Sequence, residues 1–176
     1  MTKSTANRLA MAAIGAVLVL TLGVTAPMEQ EHIKISGKMT LTHVKQETMT
    51  VGDIDEHVLA FSQAEGTNAT TGEHAFMDGA KAINMSFSDA VRGNGANQGY
   101  MKVATETATV YAKWEGKVTT VISSEGTPMT TFEGEFSWIK GTGQFENIQG
   151  KGTFKGSYLS KTTYAFEWEG AYTIAK

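Results

Sequence analysis

The chain has 176 residues, no cysteine, and 15 basic against 18 acidic side chains, a formal charge of −3 at neutral pH. Lacking cysteine, it has no disulfide framework, lipoprotein anchor or thiol mechanism. Its charges are scattered rather than blocked, so no concentrated positive face exists for nucleic acid or an anionic membrane. Many glycines and only two prolines suit an all-β chain with tight bends.

Residues 1–26 open on Lys3 and Arg8 and continue as an apolar run from Leu9 to Val24. This is the layout of a secretory signal peptide, with Val24, Thr25 and Ala26 as small residues for cleavage. Pro27 lies just past that cut and disfavours it, so an uncleaved N-terminal anchor is the alternative; the run is near the lower length limit for spanning a bilayer. The expectation is an exported protein, periplasmic or extracellular, that meets a membrane only through an uncleaved leader. Residues 27–176 then have the length of one domain.

HIKISGKMTL alternates, with Ile33, Ile35, Met39 and Leu41 apolar, and predicts a half-buried strand that brings His43 inward. Lys45 and Glu47 share that parity, which predicts a bend or bulge before Met49 and Val51. Gly52 to Asp55 reads as a turn and HVLAFSQAEG as a short strand. Glu65 to Gly79 lacks periodicity and predicts a long loop with one helical turn near Glu73 to Met77. AINMSFSDAV resumes alternation, with Ile83, Met85, Phe87, Asp89 and Val91 on one face; RGNGANQG reads as a turn or loop.

ATVYAKWEGKVTTVI is the longest regular run, putting Val110, Ala112, Trp114 and Val118 on one face, and its length predicts a strongly bent strand. Phe132, Gly134, Phe136 and Trp138 form the next inward set. From Gly152 onward almost every even position is glycine or aromatic: Phe154, Tyr158, Tyr164, Phe166, Trp168 and Tyr172. Even parity held across Leu159 to Thr163 requires an odd-numbered hairpin loop, read as three residues. The large rings on this face would present about 1,000 Å² or more of apolar surface, far beyond what a soluble monomer exposes. Seven to nine closely spaced strands with an aromatic face predict one antiparallel, about eight-stranded, closed β-barrel, with a two-sheet sandwich as the alternative.

The segment GTGQFENIQGKGTFKG, Gly141 to Gly156, spaces its glycines around Phe145, Ile148 and Phe154. It resembles a pattern of the allene oxide cyclase-like or dirigent-like barrels and their bacterial relatives. That resemblance implies an eight-stranded barrel holding an apolar substrate, in members that are cyclases or guide radical coupling. No catalytic residue is carried over from it.

A small apolar molecule is the expected partner, lined by Trp114, Phe136, Trp138, Phe154, Tyr158, Tyr164, Phe166 and Trp168. His43, His57 and Asp89 share the parity of apolar neighbours, so an inward pair of them would supply acid–base catalysis; Glu106 is a further candidate. The alternatives to a binding protein are thus a cyclase or isomerase, or a structural protein with a barrel filled by its own side chains. His32, His43, His57 and His74 lack close ligand spacing, and the methionines lie mostly on apolar faces, so neither a metal site nor a cofactor is expected. Nothing in the sequence sets an oligomeric state.

Overall fold

Period-two alternation becomes eight antiparallel strands in the computed structural model, which describes residues 32–175; the leader, residues 1–26, lies outside the described residues. In chain order these are β1 (Ile33–Thr50), β2 (His57–Thr70), β3 (Lys81–Val91), β4 (Asn94–Ala104), β5 (Thr109–Ile122), β6 (Pro128–Gly141), β7 (Ile148–Tyr158) and β8 (Thr163–Ile174), with a 3-10 turn at Gly143–Phe145. Each strand pairs with the next, and β8 returns to β1, from Ile33 opposite Tyr172 to Thr42 opposite Thr163. The result is one closed barrel rather than a sandwich, and no strand is left with an open edge.

Closure with so many rings inside depends on cross-strand pairs of glycine and aromatic residue. Gly134 lies opposite Phe154, Gly152 opposite Phe136, Gly156 opposite Phe132 and Gly37 opposite Trp168. A Cβ at Gly134 would sit 2.6 Å from Phe154 Cζ, and one at Gly37 2.5 Å from Trp168 Cζ2. Each ring therefore lies over a neighbour that has no side chain, which lets the barrel hold bulky residues without strain. The Gly141 to Gly156 segment forms a corner: Gly143, at φ 62°, starts the 3-10 turn that buries Phe145.

β1 contains the expected bulge, a register shift between His43 and Lys45. Before it Met39, Leu41 and His43 point inward; after it Gln46 does, and Lys45 and Glu47 are left outside where they pair at 2.9 Å. Met49 is on the outer face and 68% exposed. Tyr158 pairs with Tyr164 and the Leu159 N–H donates to the Thr163 carbonyl at 2.8 Å, so parity survives the last hairpin with three residues, Ser160, Lys161 and Thr162, inside that closing pair.

Three sequence expectations are corrected. β2 runs on to Thr70, so the loop is shorter than Glu65 to Gly79 and contains no helical turn. RGNGANQG is mostly strand: only Arg92 and Gly93, both at positive φ, make the turn, and Asn94 already pairs with Val91. β3 faces the opposite way from the apolar reading, because Asn84, Ser86 and Ser88 line the interior while Met85 and Phe87 lie outside. There Phe87 packs on Phe61 of β2 with ring centroids 4.9 Å apart.

One end of the barrel is plugged. The β2–β3 loop inserts Phe76, 2% exposed, among Trp138, Phe145, Trp168 and Tyr172 at centroid distances of 5.0 to 5.9 Å. Asn68, also buried, ties the plug down by donating to the Phe76 and Met77 carbonyls at 2.9 Å, and it accepts from Trp168 Nε1 at 3.0 Å. The other end, beside the β7–β8 turn, keeps Tyr158 39% exposed.

Candidate binding cavity

Between the plug and the open end the barrel encloses a cavity of about 150 Å³. A water molecule occupies about 30 Å³ of liquid and an apolar cavity of about 150 Å³ accepts benzene, so the space is ring-sized and the barrel is not filled by its own side chains. Its wall has two halves. β5 to β8 supply Trp114, Phe132, Phe136, Trp138, Phe154, Tyr158, Tyr164, Phe166 and Trp168; β1 to β4 supply the smaller Gln46, Ser62, Asn84, Ser86, Ser88 and Asn97 beside Met39, Met101 and Val103. All eight aromatic residues expected to line the interior do so, and no Lys, Arg, Asp or Glu is among the lining residues.

Three residues of the polar half, Ser62, Asn84 and Ser86, are hydrogen-bonded by side chains. Ser62 and Ser86 hydroxyls share a hydrogen bond of 2.7 Å. Trp114 Nε1 donates to Asn84 Oδ1 at 2.9 Å, and Asn84 Nδ2 donates to the Tyr164 hydroxyl at 2.9 Å. Among the described residues three buried polar atoms have no partner: His43 Nδ1, Asn97 Oδ1 and Trp138 Nε1. Such groups cost free energy in an apolar site, so they mark where a bound molecule or water has something to satisfy.

His43 stands at the open end, its ring 5.3 Å from that of Tyr164 and 6.1 Å from that of Tyr158, with Nε2 3.3 Å from the Tyr158 hydroxyl. Burial lowers its pKa, which keeps the imidazole neutral at neutral pH. Burial raises both tyrosines, Tyr164 the more strongly, so their hydroxyls stay protonated.

His57 and Asp89 do come together, but outside the barrel, and their inward placement is corrected. His57 Nε2 donates to Asp89 Oδ1 at 2.8 Å and Nδ1 to Asp53 Oδ1 at 2.6 Å. Asp89 lines an outer groove with Ala96, Gln98 and Lys117. The physical reason is the facing of β2 and β3, whose inner positions are the small polar ones. Glu106 is exposed in the β4–β5 turn. Among the described residues no group of three His, Asp or Glu side chains is placed to hold a metal ion. Parity missed Asn84, Ser86, Ser88 and Asn97, although their own alternation was a signal that could have found them.

This is a closed eight-stranded barrel with an aromatic-walled, uncharged cavity. It is similar to the pterocarpan synthase dirigent protein GePTS1 at 14% identity and a TM-score of 0.47, over 91% of this chain and all of that one. It is also similar to the pterocarpan synthase dirigent protein PsPTS1 at 14% identity and a TM-score of 0.41, over 85% of this chain and 97% of that one. No protein-family model matches the chain, and the comparison with curated proteins found none that matches.

Proposed function

We propose that this is an exported barrel that binds a small, neutral, largely apolar molecule in its interior. The observation that carries the reading is the ring-sized cavity walled by aromatic side chains and free of formal charge. Pockets of this composition hold apolar bodies by burial and orient them with a few polar groups. The basic start and apolar run of residues 1–26 support export. Binding is favoured over acid–base turnover because His57 and Asp89 point away from the cavity, and among the described residues His43 is the one lining imidazole and has no carboxylate beside it.

The test is calorimetric titration with toluene and with benzoate. Toluene is expected to bind and benzoate not, because its carboxylate would meet no cation in the cavity. Ser86→Leu, which pushes a larger side chain into the same space, should abolish toluene binding while the fold persists. A cavity that admits neither compound, or both equally, would overturn the proposal.

A further inference from the structure

The hydrogen bonds around Tyr164 leave one proton unspent. An indole N–H can only donate, so the bond from Trp114 fixes which end of the Asn84 amide is oxygen. The Asn84 nitrogen must then be the donor toward Tyr164, and the phenol oxygen is the acceptor. Tyr164 thus receives a hydrogen bond through its lone pair while its own O–H makes none to the described residues. The side chain is 5% exposed, so bulk water does not meet that demand.

The surroundings decide what could. His43 lies nearby, its ring tilted 47° to that of Tyr164, yet makes its hydrogen bond to Tyr158 and not to Tyr164. A second donor, Trp138 Nε1, is buried without a partner in the same wall. Two donors, one of them already oriented by a two-link chain of hydrogen bonds, therefore belong to the aromatic half of the cavity wall, while the unpaired Asn97 Oδ1 lies on the polar half. No lysine or arginine accompanies them, so the matching acceptor is an uncharged oxygen rather than a carboxylate or phosphate. Holding a phenol by an amide that is itself held by an indole is costly to arrange for packing alone, since a phenylalanine would fill the same space.

Resting on the cavity reading above, we infer that Tyr164 is the polar anchor of the site and that the bound molecule is a neutral, ring-sized carbonyl compound whose oxygen accepts the Tyr164 O–H. Asn84 and Trp114 are positioning residues: they aim the hydroxyl without touching the ligand's oxygen. Burial supports the assignment by keeping the phenol protonated.

The experiment compares acetophenone with isopropylbenzene, which has the same number of heavy atoms and no acceptor, on the full chain by calorimetry. The wild type is expected to prefer the ketone by roughly tenfold, one net hydrogen bond. In Tyr164→Phe the two affinities should converge to within about twofold of each other. A readout independent of the variant is the infrared stretch of ¹³C-carbonyl-labelled acetophenone bound to the wild type, which should lie below its value in hydrocarbon solvent. Equal affinities in the wild type with a hydrocarbon-like stretch would overturn the anchor and leave the cavity reading standing. Failure of both compounds to bind would overturn the cavity reading and the anchor with it.

Discussion

At the scale of single residues, the two histidines of β1 and β2 titrate in opposite senses. His57 donates from both ring nitrogens, to Asp89 and to Asp53, and only the imidazolium can make both bonds. Its pKa is raised above the ordinary 6.5, by Asp89 first and then Asp53. The unfolded chain loses this proton at the ordinary value, so the stabilisation is full below pH 6.5 and disappears as pH rises through the raised folded value. Asp53, whose pKa the His57 hydrogen bond lowers, contributes above its ordinary 3.8 and loses that contribution only in stronger acid. Thermal melts of wild type and His57→Gln should therefore differ most in mildly acidic buffer and converge as pH rises; a gap that is constant with pH would contradict the clamp. His43 runs the other way. Burial depresses it, so acid favours the unfolded state, and protonation places a cation in the cavity. Toluene affinity is expected to fall as pH drops through that lowered value. Side-chain alternation pointed to all three candidates, His43, His57 and Asp89, as members of particular faces. It could not say which face of β2 and β3 was inside, and that alone separates the cavity residue from the surface pair.

At the scale of elements, the informative case is β3. Its apolar set, Met85 and Phe87, reads as core and lies outside, because the rings of β5 to β8 already fill much of the interior and leave room opposite only for short side chains. Those short positions must then be polar or small, and Asn84 and Ser86 find partners across the barrel or on β2. Hydrophobicity patterns assume that the inside of a sheet is dry and apolar throughout; a half-polar cavity breaks the assumption strand by strand. β5, β6 and β8 lie on the aromatic half, so their facing was legible from parity alone. The β2–β3 loop was not, since the burial of Phe76 depends on a barrel end that no local pattern describes. Two substitutions measure that plug. Phe76→Ala should cost about 3–5 kcal/mol by leaving a void among four rings. Asn68→Ala, which strands the Trp168 N–H and takes one of two hydrogen bonds from each of the Phe76 and Met77 carbonyls, should cost about 2 kcal/mol. Urea unfolding reads both as a lower midpoint with an unchanged slope. A midpoint unmoved in either variant would mean that the loop is not part of the cooperative fold.

At the scale of the whole molecule, the pairing that closes the barrel is also the one that spans the most chain. β1 and β8 join Ile33 to Tyr172, so the two ends of the described chain lie on adjacent strands at the plugged end. In a closed sheet every strand has two partners, and the β1–β8 seam differs from the others only in having no covalent turn. Supplying that turn with a short flexible linker from residue 175 to residue 32, and opening the chain between Glu125 and Gly126 in the exposed β5–β6 turn, leaves every strand with the neighbours it has now. The permutant should keep the wild-type near-ultraviolet dichroism, because Trp114, Trp138 and Trp168 stay in the same wall, and it should bind toluene as the parent does. The longest-range pairing becomes a local hairpin while β5 with β6 gains the separation instead, so the folding rate rises if the β1–β8 seam limits closure and falls if the β5–β6 seam does. Removing β8 altogether is the contrasting case, since it strips one partner from both β1 and β7 and opens the aromatic wall to water. That chain should aggregate, whereas a soluble, cooperatively melting seven-stranded product would show that closure is not what holds the rings inside.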